Sequence, residues 1–342
     1  MMLDSILILP KNNLKSSIAD EGKPLIDNGL LYTRTKELVK LLKDVGIIYF
    51  DSTTNMYNYA PFLEGDRRKN RIPQMVSKML GYVAEGIVVR ECNTDLSQNA
   101  KWANVARLLR ENHNSEDENP LQLSLFVNWI KKYIWYLSLP NPNHYRAIGT
   151  GFATTQIQDP SYYSKQSYRD ICWIKNAASA VELLNPNKII AGKLRNAGIQ
   201  IKVSSGLRGY YVTKYFKTTP YFNIYPVVYF DLGNDFDIVR NKLLSPTLYP
   251  VEPNTLFSSD VCFLDGRSKE DIVDIMLRRG RDIDPSLHEE LLYYQSVLNK
   301  LVTGGISLFD LTDEKMIFGL VLEYLGRNMV KDSSILTISY SL

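Results

Sequence analysis

The chain has 342 residues, 45% of them hydrophobic and 23% charged, which is apolar enough for a full core and argues against a disordered chain. Forty basic residues against 37 acidic ones leave a net charge of +3. That balance neither demands nor forbids a polyanionic partner, because a local basic groove can sit on a near-neutral protein. Cys92, Cys172 and Cys262 lie far apart with no CxxC pair, which argues against a zinc ribbon or a disulfide framework.

The opening residues carry an apolar run too short for a signal peptide, with Asp4 where a basic region should stand. No stretch approaches the roughly 20 apolar residues of a membrane span, so the expectation is a soluble cytoplasmic protein. Residues 35–45 place Leu38, Leu41, Leu42 and Val45 on one helical stripe closed by Gly46. A short strand follows at 47–52, then a polar basic loop, "EGDRRKNR", holding Arg67, Arg68, Lys69 and Arg71. Pro73 opens a long helix in which Met75, Met79, Val83 and Ile87 recur at helical spacing, with Glu85 among small and apolar neighbours.

Residues 97–111 read as an amphipathic helix, 113–120 as an acidic connector, and 121–139 as an aromatic-rich helix ended by "PNPN". The stretch 144–168 is turn-like. "RDICWI" at 169–174 reads as a strand. Asn185 as N-cap, Pro186 at the first helical position and Gly198 as a stop predict a helix over 186–197, and Glu182 also reads as helical. That helix would feed directly into "IQIKVS" at 199–204, where Gln200, Lys202 and Ser204 share one strand face. Residues 206–218 are ambiguous between helix and strand. "YPVVYFDL" at 225–232 is a near-continuous apolar run of the kind buried on both faces. Helices are predicted at 235–244, 285–302 and 312–330. "TGGISLFD" at 303–310 reads as a turn before a strand, and 335–342 as a possible last strand.

Several chemistries lack their sequence signature. There is no GxxxxGK motif, no GxSxG and no HExxH, and His113, His144 and His288 are widely separated. The simple cases of an ATPase, an α/β-hydrolase, a zincin and a histidine-based enzyme are therefore disfavoured.

The order that remains is a helix with a glutamate, strands, a Gln-x-Lys strand and an apolar strand. In this the chain resembles the PD-(D/E)xK, or restriction-endonuclease-like, nuclease superfamily over about residues 73–240. The resemblance implies an α/β fold, an αβββαβ core with a mixed central sheet and helical extensions at both ends. Residues 1–72 would form an N-terminal α/β extension, 73–245 the core with a helical insertion at about 97–165, and 246–342 a mostly helical region. Carried over residue by residue, Gln200 and Lys202 match the third motif, Glu85 is the helix acid, and Asp170 is the nearest acid on a strand for the second.

The resemblance implies a Mg²⁺-dependent DNA endonuclease, with Mn²⁺ able to substitute. It would act alone, as a homodimer, or with other subunits of a restriction or phage-defence assembly. Hard Mg²⁺ takes oxygen ligands, which suits Glu85, Asp170 and the Gln200 amide as metal ligands. Lys202 would orient water or meet developing negative charge. Arg67, Arg68, Lys69 and Arg71 could contact phosphates, as could Arg278, Arg279 and Arg281. The alternative is a non-catalytic DNA-binding or structural subunit with the same fold.

Overall fold

A central helix organises the structure. In the computed structural model, which describes residues 28–69, 71–107, 140–164, 169–175, 181–190, 193–205, 225–245, 261–262 and 269–332, helix α3 (Ile72–Thr94) buries residues around most of its circumference. Its buried set includes Met75, Met79, Leu80, Val83, Ile87 and Cys92, too many directions for a surface helix with one apolar stripe. Helix α1 (Asn28–Asp44) precedes it, followed by a hairpin of β1 (Ile48–Asp51) and β2 (Met56–Tyr59) and by helix α2 (Pro61–Arg68). The basic stretch read as a loop is thus largely helical. Pro61 supplies the fixed φ of a first helical turn, which the loop reading overlooked.

Helix α4 (Leu96–Ala106) starts at Asp95, whose carboxylate accepts from the backbone N–H groups of Ser97 and Gln98. Strand β3 (Tyr145–Gly149) lies in the stretch read as turn, followed by helix α5 (Ala153–Gln158). Its short apolar run was masked by Gly149 and Gly151. β3 pairs antiparallel with β4 (Ile171–Lys175), and the Trp173 indole donates to Asn99 at 2.8 Å.

The predicted helix over 186–197 is instead an antiparallel hairpin, β5 (Leu184–Ile190) with β6 (Lys193–Asn196). Asn185 and Pro186 mimic a helix start, but the β-branched pair Ile189 and Ile190 favours a strand. The register shifts between Asn185 and Ile189, where a proline that cannot donate to the ladder is tolerated. Glu182 forms an isolated bridge with Ile174, so it is not helical either. Strand β9 (Val261–Cys262) completes this sheet against β5.

Strand β7 (Gln200–Ser204) runs parallel to β8 (Val227–Asp231), with Lys202 opposite Tyr229. β10 (Leu277–Arg279) adds a third parallel strand, giving the order β10-β8-β7. Every residue of β8 is buried, as its continuous apolar run requires. Ile201, Val203, Val228 and Phe230 join the main core together with α3, and Trp102 stacks on Phe230 at 6.4 Å. Helix α6 (Phe236–Leu244) follows β8. Helix α7 (Lys269–Met276) and the single turn α8 (Gly280–Ile283) flank β10.

Helix α9 (Pro285–Thr303) packs along α3, where Arg90 forks onto both Glu290 oxygens at 2.9 and 2.6 Å. It ends at Gly304, whose φ of +80° makes the left-handed cap that a glycine accepts without strain. The strand expected after it is a 3₁₀ turn at Asp310–Thr312, fixed by Asp310 accepting from the Ser307 N–H at 2.7 Å. Helix α10 (Glu314–Asp332) follows. The mixed α/β class is therefore as expected, with helices dominant and the sheets small. The expectations at 113–120, 121–139, 206–218 and 335–342 lie outside the described residues. No described helix is long and apolar enough to cross a membrane.

Gly198, read as a helix stop, is a point of close backbone approach. A Cβ there would meet Arg169 Cδ at 2.6 Å and the Ile171 carbonyl oxygen at 3.1 Å. Gly198→Ala is expected to push the Ile171–Ile199 bridge apart and destabilise the fold by about 1–3 kcal/mol, as overpacking does. A urea denaturation midpoint equal to wild type would contradict this.

Candidate functional site

β4 and β7 meet at their N-terminal ends, and the polar site grows from that crossing. Ile171 and Ile199 exchange backbone hydrogen bonds, and Asp170 N–H donates to the Ile199 carbonyl at 2.8 Å. The next outward-facing N–H on β7 belongs to Ile201. Among the described residues it has no strand partner there, and it donates to Asp170 Oδ2 at 2.7 Å. A backbone donor that must be satisfied thereby fixes where the carboxylate sits. The hairpin correction matters at this point, because β5 and β6 turn back on themselves and return the chain to Asp170's side.

Lys202 Nζ donates to the same Asp170 oxygen at 3.3 Å and to the Ile201 carbonyl at 2.9 Å. Both side chains of this pair keep some solvent access, 15% for Lys202 and 20% for Asp170. The lysine on the polar face of the strand is thus held at the strand edge rather than buried unpaired.

Glu85 arrives from α3, near enough for both partners to act on it. Burial pushes its carboxyl well above the ordinary value of 4.5, the Asp170 charge pushes it further, and Lys202 opposes them. Among the described residues, no hydrogen bond reaches the Glu85 carboxylate. Tyr82, one turn earlier on the same helix, is pushed up by burial and then by the charges of Glu85 and Asp170. It was not singled out in the sequence, although its spacing of three from Glu85 was a usable signal.

Of the expected site residues, Asp170 and Lys202 form an ion pair at 3.3 Å, and Glu85 lies within electrostatic reach of both. Gln200 lies two residues before Lys202 on the same strand face and is 4% exposed. Neither Glu85 nor Asp170 hydrogen-bonds to its amide among the described residues. Arg67, Arg68, Lys69 and Arg71 are exposed at the end of α2 and the start of α3. Arg67 pairs with Glu64 at 3.3 Å, and Arg71 donates its backbone N–H to Asp66. Phe62 of α2 rests on Tyr82 with ring centres 5.5 Å apart, so this helix borders the carboxylates. Arg279, by contrast, spends its guanidinium on buried Asp231, with Nε at 3.0 Å and Nη2 at 2.6 Å from one oxygen, and is drawn inward rather than toward a phosphate.

The donor set suits a hard divalent cation. Two carboxylates lie within electrostatic reach of one ammonium, and among the described residues no hydrogen bond reaches Glu85. Mg²⁺ is commonly held by one or two carboxylates with water and substrate oxygens completing its shell. Among the described residues, no group of three or more His, Cys, Asp or Glu side chains could hold a metal ion.

Comparison of the chain with protein-family models, with curated proteins and with solved structures found no match.

Proposed function

We propose that the chain is a metal-dependent nuclease that hydrolyses phosphodiester bonds in DNA, on a restriction-endonuclease-like core. The observation that supports this best is the convergence of Glu85, Asp170 and Lys202 from three separate elements, α3, the start of β4 and the middle of β7. Paired acids beside one ammonium are what phosphodiester hydrolysis needs. A water must be oriented, and the charge gathering on the phosphoryl oxygens must be offset.

Glu85 and Asp170 would hold the metal, with the Gln200 amide oxygen the third candidate. Bound Mg²⁺ would supply an activated water and neutralise charge at the phosphate. The chain's own contribution is positional. The Ile201 N–H fixes Asp170, and Asp170 together with the Ile201 carbonyl aims the Lys202 ammonium. As water adds to phosphorus and the bond to the leaving oxygen breaks, Lys202 lies where it can meet the developing negative charge. Exposed Arg67, Arg68, Lys69 and Arg71 would track the phosphate backbone.

The test is incubation of purified protein with supercoiled plasmid and linear duplex, in Mg²⁺, in Mn²⁺ and with chelator. Nicking should need the metal and disappear in Asp170→Asn, which keeps an acceptor for Ile201 but loses the charge. Duplex binding with no cleavage in either metal would favour the non-catalytic subunit instead.

A further inference from the structure

The β1–β2 hairpin carries its own chemistry. Pairing Ile48 with Tyr59 and Phe50 with Tyr57 sets Phe50, Tyr57 and Tyr59 on the face that also carries buried Ile48, with Tyr57 and Tyr59 half-buried against the core and Phe50 at its open end. Phe50 is 44% exposed and meets Tyr57 edge-on at 5.2 Å. Tyr59 lies beneath the Arg67 guanidinium at 5.7 Å. Helix α2 then presents Phe62, itself 42% exposed, against Tyr82. Since Tyr82 feels the Glu85 and Asp170 charges, aromatic rings mark out a route from hairpin to site.

The exposed rings Phe50 and Phe62 on their own could suit many partners. They are flanked by the cations Arg67, Arg68, Lys69 and Arg71, all exposed, which selects a polyanion. Aromatic rings interleaved with cations are the composition that binds single strands, because bases stack on the rings while the phosphates meet the charges. A closed duplex keeps its base faces covered. We infer that the hairpin and α2 form a stacking platform for single-stranded nucleic acid, leading a frayed or unpaired segment toward the carboxylates. The inference rests on the nuclease reading in naming the form of substrate presented to that site.

The experiment is fluorescence anisotropy in chelator with fluorescein-labelled oligothymidylate, against a blunt duplex of equal length. The oligothymidylate should bind more tightly. Phe50→Ala should weaken it about tenfold, the loss of one stacked base, and Phe50→Trp should restore it. Because Phe50 is exposed, neither change should disturb folding, which circular dichroism checks. Equal affinity for single strand and duplex, wild-type affinity in Phe50→Ala, or no binding of any nucleic acid would each overturn the platform. Metal is absent, so the assay is independent of cleavage. Tight binding lost in Phe50→Ala, in a protein that never cleaves, would support the platform and defeat the nuclease reading alone.

Discussion

Lys202→Ala is expected to reduce metal-dependent plasmid nicking by about 100- to 1000-fold, the usual loss when one transition-state donor is removed. The expectation follows from where the ammonium sits. It bridges Asp170 and the Ile201 carbonyl at the edge of β7, beside a carboxylate that has no hydrogen bond of its own among the described residues. A purely structural lysine would give a different result. Breaking a pair this enclosed, 15% and 20% exposed, should cost about 1–3 kcal/mol, softened because Asp170 keeps its bond from the Ile201 N–H. Activity should therefore fall far more than a modest drop in the urea midpoint would explain. Lys202→Arg retains the charge but replaces a compact ammonium with a planar fork, and should recover stability without recovering rate. Nicking at wild-type rate in Lys202→Ala would remove this residue from the chemistry.

Glu85→Gln is expected to stabilise the metal-free protein at neutral pH, the opposite of what most substitutions in a half-buried position do. Burial and then the Asp170 charge hold the Glu85 carboxyl above 4.5, so over the interval from there to its raised value the folded protein retains a proton that the unfolded chain has lost. Stability contributed by this group must then fall as pH rises through that interval. At neutral pH, well above the ordinary carboxyl value, the group therefore lowers stability relative to an uncharged side chain. Replacing it with an amide removes the charge that burial and Asp170 oppose, and should raise the melting temperature by several degrees. The melting temperature should also depend less on pH in the variant. Added Mg²⁺ should raise the wild-type melting temperature by mass action and leave Glu85→Gln nearly unmoved. A variant less stable than wild type, with the same response to Mg²⁺, would mean that Glu85 supports the fold and not a ligand.

Much of the local structure was legible because it is written in short-range pattern. The apolar spacing in α3, α9 and α10 and the continuous apolar run of β8 each report which sides of an element are buried, whereas β7 alternates in chemistry while both its faces are enclosed. The Gln200–Lys202 pair could likewise be placed on one strand face before any contact was known. The readings that failed did so where a local signal has two meanings. Asn185-Pro186 starts helices and also fits a strand with a register shift, and Gly198 stops helices and also permits two backbones to cross.

Sequence alone thus determined the class of most elements, the polar face of β7 and the candidate residues Glu85, Asp170 and Lys202. Only the tertiary structure decided that these three lie within electrostatic reach of one another. The residues between Asp170 and Lys202 had to form a hairpin rather than a helix, and the Ile201 N–H had to turn to the Asp170 carboxylate. The physical reason is that periodicity records which face of each element turns from water. Which elements then pair depends on hydrogen bonds and packing between residues far apart in the chain, and no local pattern encodes those.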